Sequence, residues 1–154
     1  MHGFRQPKGS YDPDRVSTPV CRQDSVRLTT AWAAGKSDCD VQVGDAVRAF
    51  LQAPLTAADA DMWMEPPPEW GFSADTVLQV ANSVYGLMQA CYNWCERLDG
   101  VLHDAGAVPF ETDPRSFILA RRNDAGKLTK TFCHAHVDES QAHRPRCPLS
   151  HEQA

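Results

Sequence analysis

The chain has 154 residues, 42% of them hydrophobic and 23% charged, a balance too apolar for a disordered tail and sufficient for one compact core. A formal net charge of -5 argues against a free-standing nucleic-acid module, which clusters Lys and Arg to neutralise phosphates. The start, MHGFRQPKGSYDPD, lacks the apolar run of a secretory signal, and no later stretch is apolar enough to span a bilayer. A soluble intracellular chain, cytoplasmic or nuclear and not secreted, is therefore expected, with no membrane partner. In that setting the six cysteines read as free thiols.

Residues 1–20 are polar and rich in Pro and Gly, an irregular lead-in. Asp24 is placed to cap a short helix, SVRLTTAWAA, which Gly35 ends. CDVQV alternates apolar and polar residues as a half-buried strand does, and it delivers Gly44 and Asp45 at its C-terminal end. AVRAFLQAPL reads as a turn or short helix ended by Pro54, and AADADMWMEPPPEWGF as a short strand closed by prolines. The longest periodic segment begins near Ser83. There Leu87, Cys91, Trp94, Leu98 and Val101 recur at steps of four and three, an apolar stripe that predicts a helix as far as Gly106, with Trp94 and Leu98 in the core. SFILARR and KLTKTFCHAHV then flank NDAG, whose residue types suit a hairpin turn. Helices and hairpins in this order predict an α+β fold, an antiparallel sheet packed on helices.

The last predicted strand climbs to two adjacent acids, Asp138 and Glu139. Asp45 and Asp138 both stand at strand ends, and they meet if their strands are neighbours in one sheet. Convergent carboxylates hold hard, oxygen-seeking cations, although acids at strand ends are more commonly solvated loop residues.

VSTPVCRQDSVRLTTAWAA, VGDAVRAFLQAPL, MWMEPPPEW, SVYGLMQACYNWCERLDGVLHDAGAVPFETDPRSFIL and HVDES follow one another in an order and spacing that resembles the reverse transcriptase of copia-type retrotransposons. The most specific part is SVYGLMQA with Trp94 and Asp113-Pro114 downstream. The resemblance implies a fingers-like lead-in over residues 1–37, a partial polymerase palm over 38–139 and a divergent, disordered tail over 140–154. It further implies an RNA-directed DNA polymerase in which Asp45 and Asp138 ligate two Mg²⁺ ions, with Glu139 as the third acid of the catalytic set. Template-primer of RNA or DNA, and deoxynucleoside triphosphates, are the implied partners. Phe50 falls where the family places a bulky ring under the nucleotide sugar, excluding a 2'-hydroxyl. Tyr85, Gly86 and Gln89 fall in the segment near the incoming nucleotide; for Tyr85 and Leu87 packing on a helix face is an equal alternative. Asp113 before Pro114 is expected to make a turn.

Departures from the family are concentrated near the chemistry. His136 and Glu139 replace the tyrosine and the second aspartate of its YVDD turn, Met88 its lysine and Cys91 its proline. After Glu139 the sequence SQAHRPRCPLSHEQA has no alternation, so the expectation is a turn without its returning strand, in a chain cut or frameshifted beyond it and inactive alone. The competing reading is a small zinc-binding interaction module built from Cys133, His134, His136, His143, Cys147 and His151. The uneven spacing of that set fits no paired C-x-x-C pattern, and Zn²⁺ is not expected.

Overall fold

The structure is a computed structural model that describes residues 6, 9–56, 59, 62–122 and 125–136, together with the backbone of 139–145. The chain divides into two compact units, one formed by Met1–Thr18 with Arg48–Leu98, the other by Pro19–Val47 with Asp99–Ala154. Helix and antiparallel sheet are mixed, as expected for an α+β chain. Among the described residues no helix is long and apolar enough to cross a membrane.

The second unit carries α1 (Gln23–Ala34) and β1 (Cys39–Asp45). It also holds the main sheet's remaining strands, numbered after the short β2 and β3 of the first unit: β4 (Ala107–Phe110), β5 (Asp113–Arg122), β6 (Leu128–His136) and β7 (Glu139–Pro145). The order across the sheet is β1-β7-β6-β5-β4, antiparallel throughout. The predicted hairpin forms between β5 and β6, with Arg122 opposite Leu128 and the turn's Gly126 at φ 74, a left-handed conformation that glycine adopts without steric cost. One face of β6 meets α1: the Trp32 and Phe132 rings lie 5.4 Å apart edge to face, and Phe110 approaches Phe132 at 6.1 Å.

Three expectations in this unit need correction. Asp24 does not cap α1; the N-cap is Arg22, without a side-chain cap bond, and its backbone N–H is taken up by the distant carboxylate of Asp113 at 2.9 Å. The apolar side of β1 is not half-buried, for Val41 and Val43 are 44% and 67% exposed; β1 is an edge strand, and alternation records only which face is apolar. The returning strand, which the sequence after Glu139 did not suggest, is present as β7, so residues 140–145 are not an irregular tail. A strand between two neighbours is held by backbone hydrogen bonds on both edges, and these do not require an alternating sequence. Residues 146–154 lie outside the described residues.

The first unit contains a 3-10 turn, Ala49–Gln52, the two-residue strands β2 (Trp63–Met64) and β3 (Leu78–Gln79), and the start of α2 (Ala90–Asp104), which continues into the second unit beyond Leu98. The helix begins later than the stripe predicted. Residues 83–89 form turns instead, because Gly86 takes φ 92, a conformation outside the right-handed helix, and the Ser83 N–H bonds to the Ala53 carbonyl at 2.8 Å. Trp94 is buried as expected, Leu98 is half-buried, and Val101 is exposed.

Candidate active site

At one end of the main sheet β1 runs out at Asp45, and the register places Asp45 directly opposite Glu139, the first residue of β7. Glu139 is in turn opposite His136, the last residue of β6. Residues opposite one another on antiparallel strands have Cα atoms about 4.5–5.5 Å apart. Asp45, Glu139 and His136 thus form one row across three adjacent strands. Asp45 and His136 are exposed. Asp138 lies outside the described residues, but it immediately precedes Glu139 in the two-residue connection that joins the partners His136 and Glu139. The neighbour of β1 is accordingly β7, rather than the strand leading up to the acids.

Below this row the sheet is braced by a buried polar chain. Asp113 is 2% exposed and accepts from the Arg22 N–H at 2.9 Å and from Ser116 Oγ at 2.7 Å. Ser116 Oγ is also 2.7 Å from Nδ1 of His134, whose Nε2 lies 2.7 Å from Thr29 Oγ1. Thr29 donates to the carbonyl of Ser25 at 2.9 Å. Burial alone would push the Asp113 carboxyl up, but donors from Ser116, Ser25 and the N–H groups of Arg22 and Arg115 outweigh it and leave it below the usual value. The turn expected at Asp113-Pro114 is therefore a structural tie from β5 to the start of α1.

This arrangement bears on the zinc reading. Both ring nitrogens of the buried His134 are engaged by hydroxyl groups, so neither is open to a metal. Burial pushes the Cys133 thiol up, with a further contribution from the nearby Cys21. Among the described residues no group of three or more His, Cys, Asp or Glu side chains is placed to hold a metal ion. Cys147 and His151 fall outside those residues, as does the side chain of His143.

The residues predicted to face a nucleotide lie in the first unit, where two of them touch. The rings of Phe50 and Tyr85 are 4.9 Å apart, inclined at 57°. Phe50 is half-buried and Tyr85 is 53% exposed, while Leu87 is buried. Gly86 occupies the left-handed region at φ 92. Gln89 is fully buried, donating to Asp59 Oδ1 at 3.2 Å and accepting from Gln6 Nε2 at 3.2 Å.

Around Gln89 is a network that the motifs did not reveal. Arg15 donates to Thr56 Oγ1 at 2.7 Å and to Asn93 Oδ1 at 2.9 Å, and pairs with Asp59 at 3.5 Å. Its guanidinium also lies over the Tyr92 ring, 4.7 Å from the centroid. Asn93 donates onward to Ser83 Oγ at 3.1 Å, and Gln6 Oε1 accepts from the Met88 N–H at 3.1 Å. Arg15 and Asp59 lie 44 positions apart in the chain, and nothing local in the sequence connects them.

Comparison with known proteins adds an independent line. The family described as reverse transcriptase (RNA-dependent DNA polymerase) matches residues 1–134. That span includes Asp45, Phe50, Tyr85, Gly86 and Gln89 and stops short of Asp138 and Glu139. Over 116 residues the chain is 31% identical to the retrovirus-related Pol polyprotein from transposon TNT 1-94 of Nicotiana tabacum, a match covering 74% of this chain and 8% of that protein. The chain thus spans less than a tenth of the length of this curated relative. No solved structure matches significantly.

Proposed function

Because the chain belongs to the reverse transcriptase (RNA-dependent DNA polymerase) family, we propose that it carries the acid-bearing palm region of a copia-type polymerase, with residues 1–37 as its fingers-like lead-in. The observation that carries this reading is the register of Asp45 against Glu139, which sets the end of β1 beside the residue that follows Asp138. Asp45, Asp138 and Glu139 supply hard carboxylate oxygens from two sequence-distant segments, a donor set that suits Mg²⁺. Two Mg²⁺ ions held there would supply Lewis-acid activation of the primer 3'-hydroxyl and charge stabilisation of the leaving pyrophosphate. Asp45 and Asp138 would hold the ions, and Glu139 would contribute a third carboxylate. Phe50 would lie under the sugar of the incoming deoxynucleotide, with Tyr85 and Gly86 beside it. Gln89 would hold that segment in place from within, since its side chain is taken up by Asp59 and Gln6.

Glu139 reaches one methylene further than the family's aspartate, and metal sites lose function when a ligand is displaced by about 1 Å. Met88 removes a cation from the nucleotide side, in a chain whose net charge is -5. We therefore expect the chain by itself not to extend a primer. The test is Mg²⁺-dependent extension of a labelled DNA primer on an RNA template, with a complete family enzyme as control. Extension by the wild-type chain that disappears in Asp45→Ala would overturn the inactivity while supporting the acid site. Extension that persists in Asp45→Ala would contradict the assignment of the acids.

A further inference from the structure

We infer that Tyr85 is a specificity-determining residue that acts through Phe50: by bracing the Phe50 ring it sets how strongly the site rejects a nucleotide bearing a 2'-hydroxyl. This rests on the reading of Phe50 as the ring under the nucleotide sugar, and it assigns to Tyr85 a positioning role.

The contact joins two turns that the backbone ties together. Phe50 sits on the 3-10 turn Ala49–Gln52, entered through Arg48 at φ 57, a left-handed conformation that a residue with a Cβ adopts only at a cost. The turn is closed by the Ala53 N–H on the Phe50 carbonyl at 3.0 Å. Immediately beyond it, the Leu55 N–H bonds to the Ala81 carbonyl at 3.1 Å, the Ser83 N–H bonds to the Ala53 carbonyl, and Pro54 bridges to Asn82. Ala49, Ala53 and Ser83 are buried to within 1%. The Tyr85 turn is thereby anchored just before the ring by Ser83, which Asn93 also holds, and beyond it by Gln89 on Asp59.

Two rings on tied turns, in contact at 4.9 Å and inclined at 57°, restrain each other. Tilted aromatic pairs at this separation are favourable beyond their buried area. Discrimination by bulk fails when the excluding ring can swing aside, so the stiffness of Phe50 matters as much as its size.

The test is the affinity ratio of dATP to ATP, with Mg²⁺, for the full chain by titration calorimetry. It reads nucleotide recognition without requiring polymerisation. The wild type is expected to prefer dATP, and Phe50→Ala to abolish the preference. Tyr85→Ala is expected to reduce the ratio about three- to tenfold, the range that the loss of one aromatic pair permits, whereas Tyr85→Phe retains it. Tyr85 is 53% exposed, so its variants are expected to fold, and equal thermal midpoints check this. An unchanged ratio in Tyr85→Ala, with the preference lost in Phe50→Ala, would overturn the inference and leave the Phe50 reading intact. A ratio unchanged in both variants, or no nucleotide bound by the wild type, would overturn both together.

Discussion

Asp45 and Glu139 are register partners at the ends of β1 and β7, although 93 residues of chain separate them. Their meeting depends on β7, which inserts between β1 and β6 and pairs with both. The end of β1 is in this way carried beside a connection that contains Asp138. If β7 were absent, β1 would have no strand neighbour in the sheet and the acids would be unrelated in space.

Asp113 ties β5 to the start of α1, and its replacement tests that tie. Asp113→Ala leaves the Arg22 N–H and the buried Ser116 hydroxyl without their acceptor, at an expected cost of about 1–3 kcal/mol in urea unfolding. The folded-state pKa of Asp113 lies below the ordinary 3.8. Its stabilisation is therefore present above that value and is lost as pH falls through the depressed folded value. Acid unfolding of the wild type should show this loss, and that of Asp113→Asn should not.

The Arg15–Asp59–Gln89 network makes a separate prediction for the first unit. The Asp59 side chain is 1% exposed and receives Arg15, Thr56 and Gln89. Asp59→Ala removes the only carboxylate paired with the largely buried Arg15 guanidinium among the described residues, and takes an acceptor from the Gln89 amide and the Thr56 hydroxyl, at an expected cost of about 2–4 kcal/mol. Asp75→Ala, at an exposed loop position, should change stability by no more than about 0.5 kcal/mol. Equal midpoints for the two variants in chemical denaturation would refute the network's importance.

Thiol reactivity follows from burial. Desolvation first, and then the negative charge of Asp113, raise the Cys21 thiol; desolvation and the neighbouring Cys21 raise Cys133. Iodoacetamide at pH 8 should therefore modify both more slowly than a free cysteine peptide, as read by mass spectrometry over time. Alkylation of Cys133 in the folded chain as fast as in the free peptide would contradict its raised pKa.

Much of the fold was legible because local chemistry and tertiary structure agree. Gly35 and Gly106 end the helices, and the Asn-Asp-Ala-Gly connection joins β5 to β6. Legibility failed where a distant residue decides. Asp113 supplies an acceptor at the start of α1, where Asp24 was expected to cap; the distant Ala53 carbonyl takes the Ser83 N–H ahead of α2; and β7 forms from a run without alternation because both of its edges find partners. β4, entered through Gly106, carries a Pro that weakens any strand signal. At the candidate site, motif position drew attention to Phe50 and Tyr85 but not to their contact, which joins residues 35 apart in the chain, and it gave no sign that Gln89 is buried.

The most direct measurement is Mn²⁺ binding to the purified chain, followed by the electron paramagnetic resonance of free Mn²⁺, a stand-in for Mg²⁺ with the same preference for oxygen ligands. On this account Asp45, Asp138 and Glu139 should bind Mn²⁺ together, so that Asp45→Asn and Asp138→Asn each weaken the affinity at least about tenfold, as loss of a charged ligand does. Affinity unchanged in both variants, or no Mn²⁺ bound by the wild type, would contradict the account.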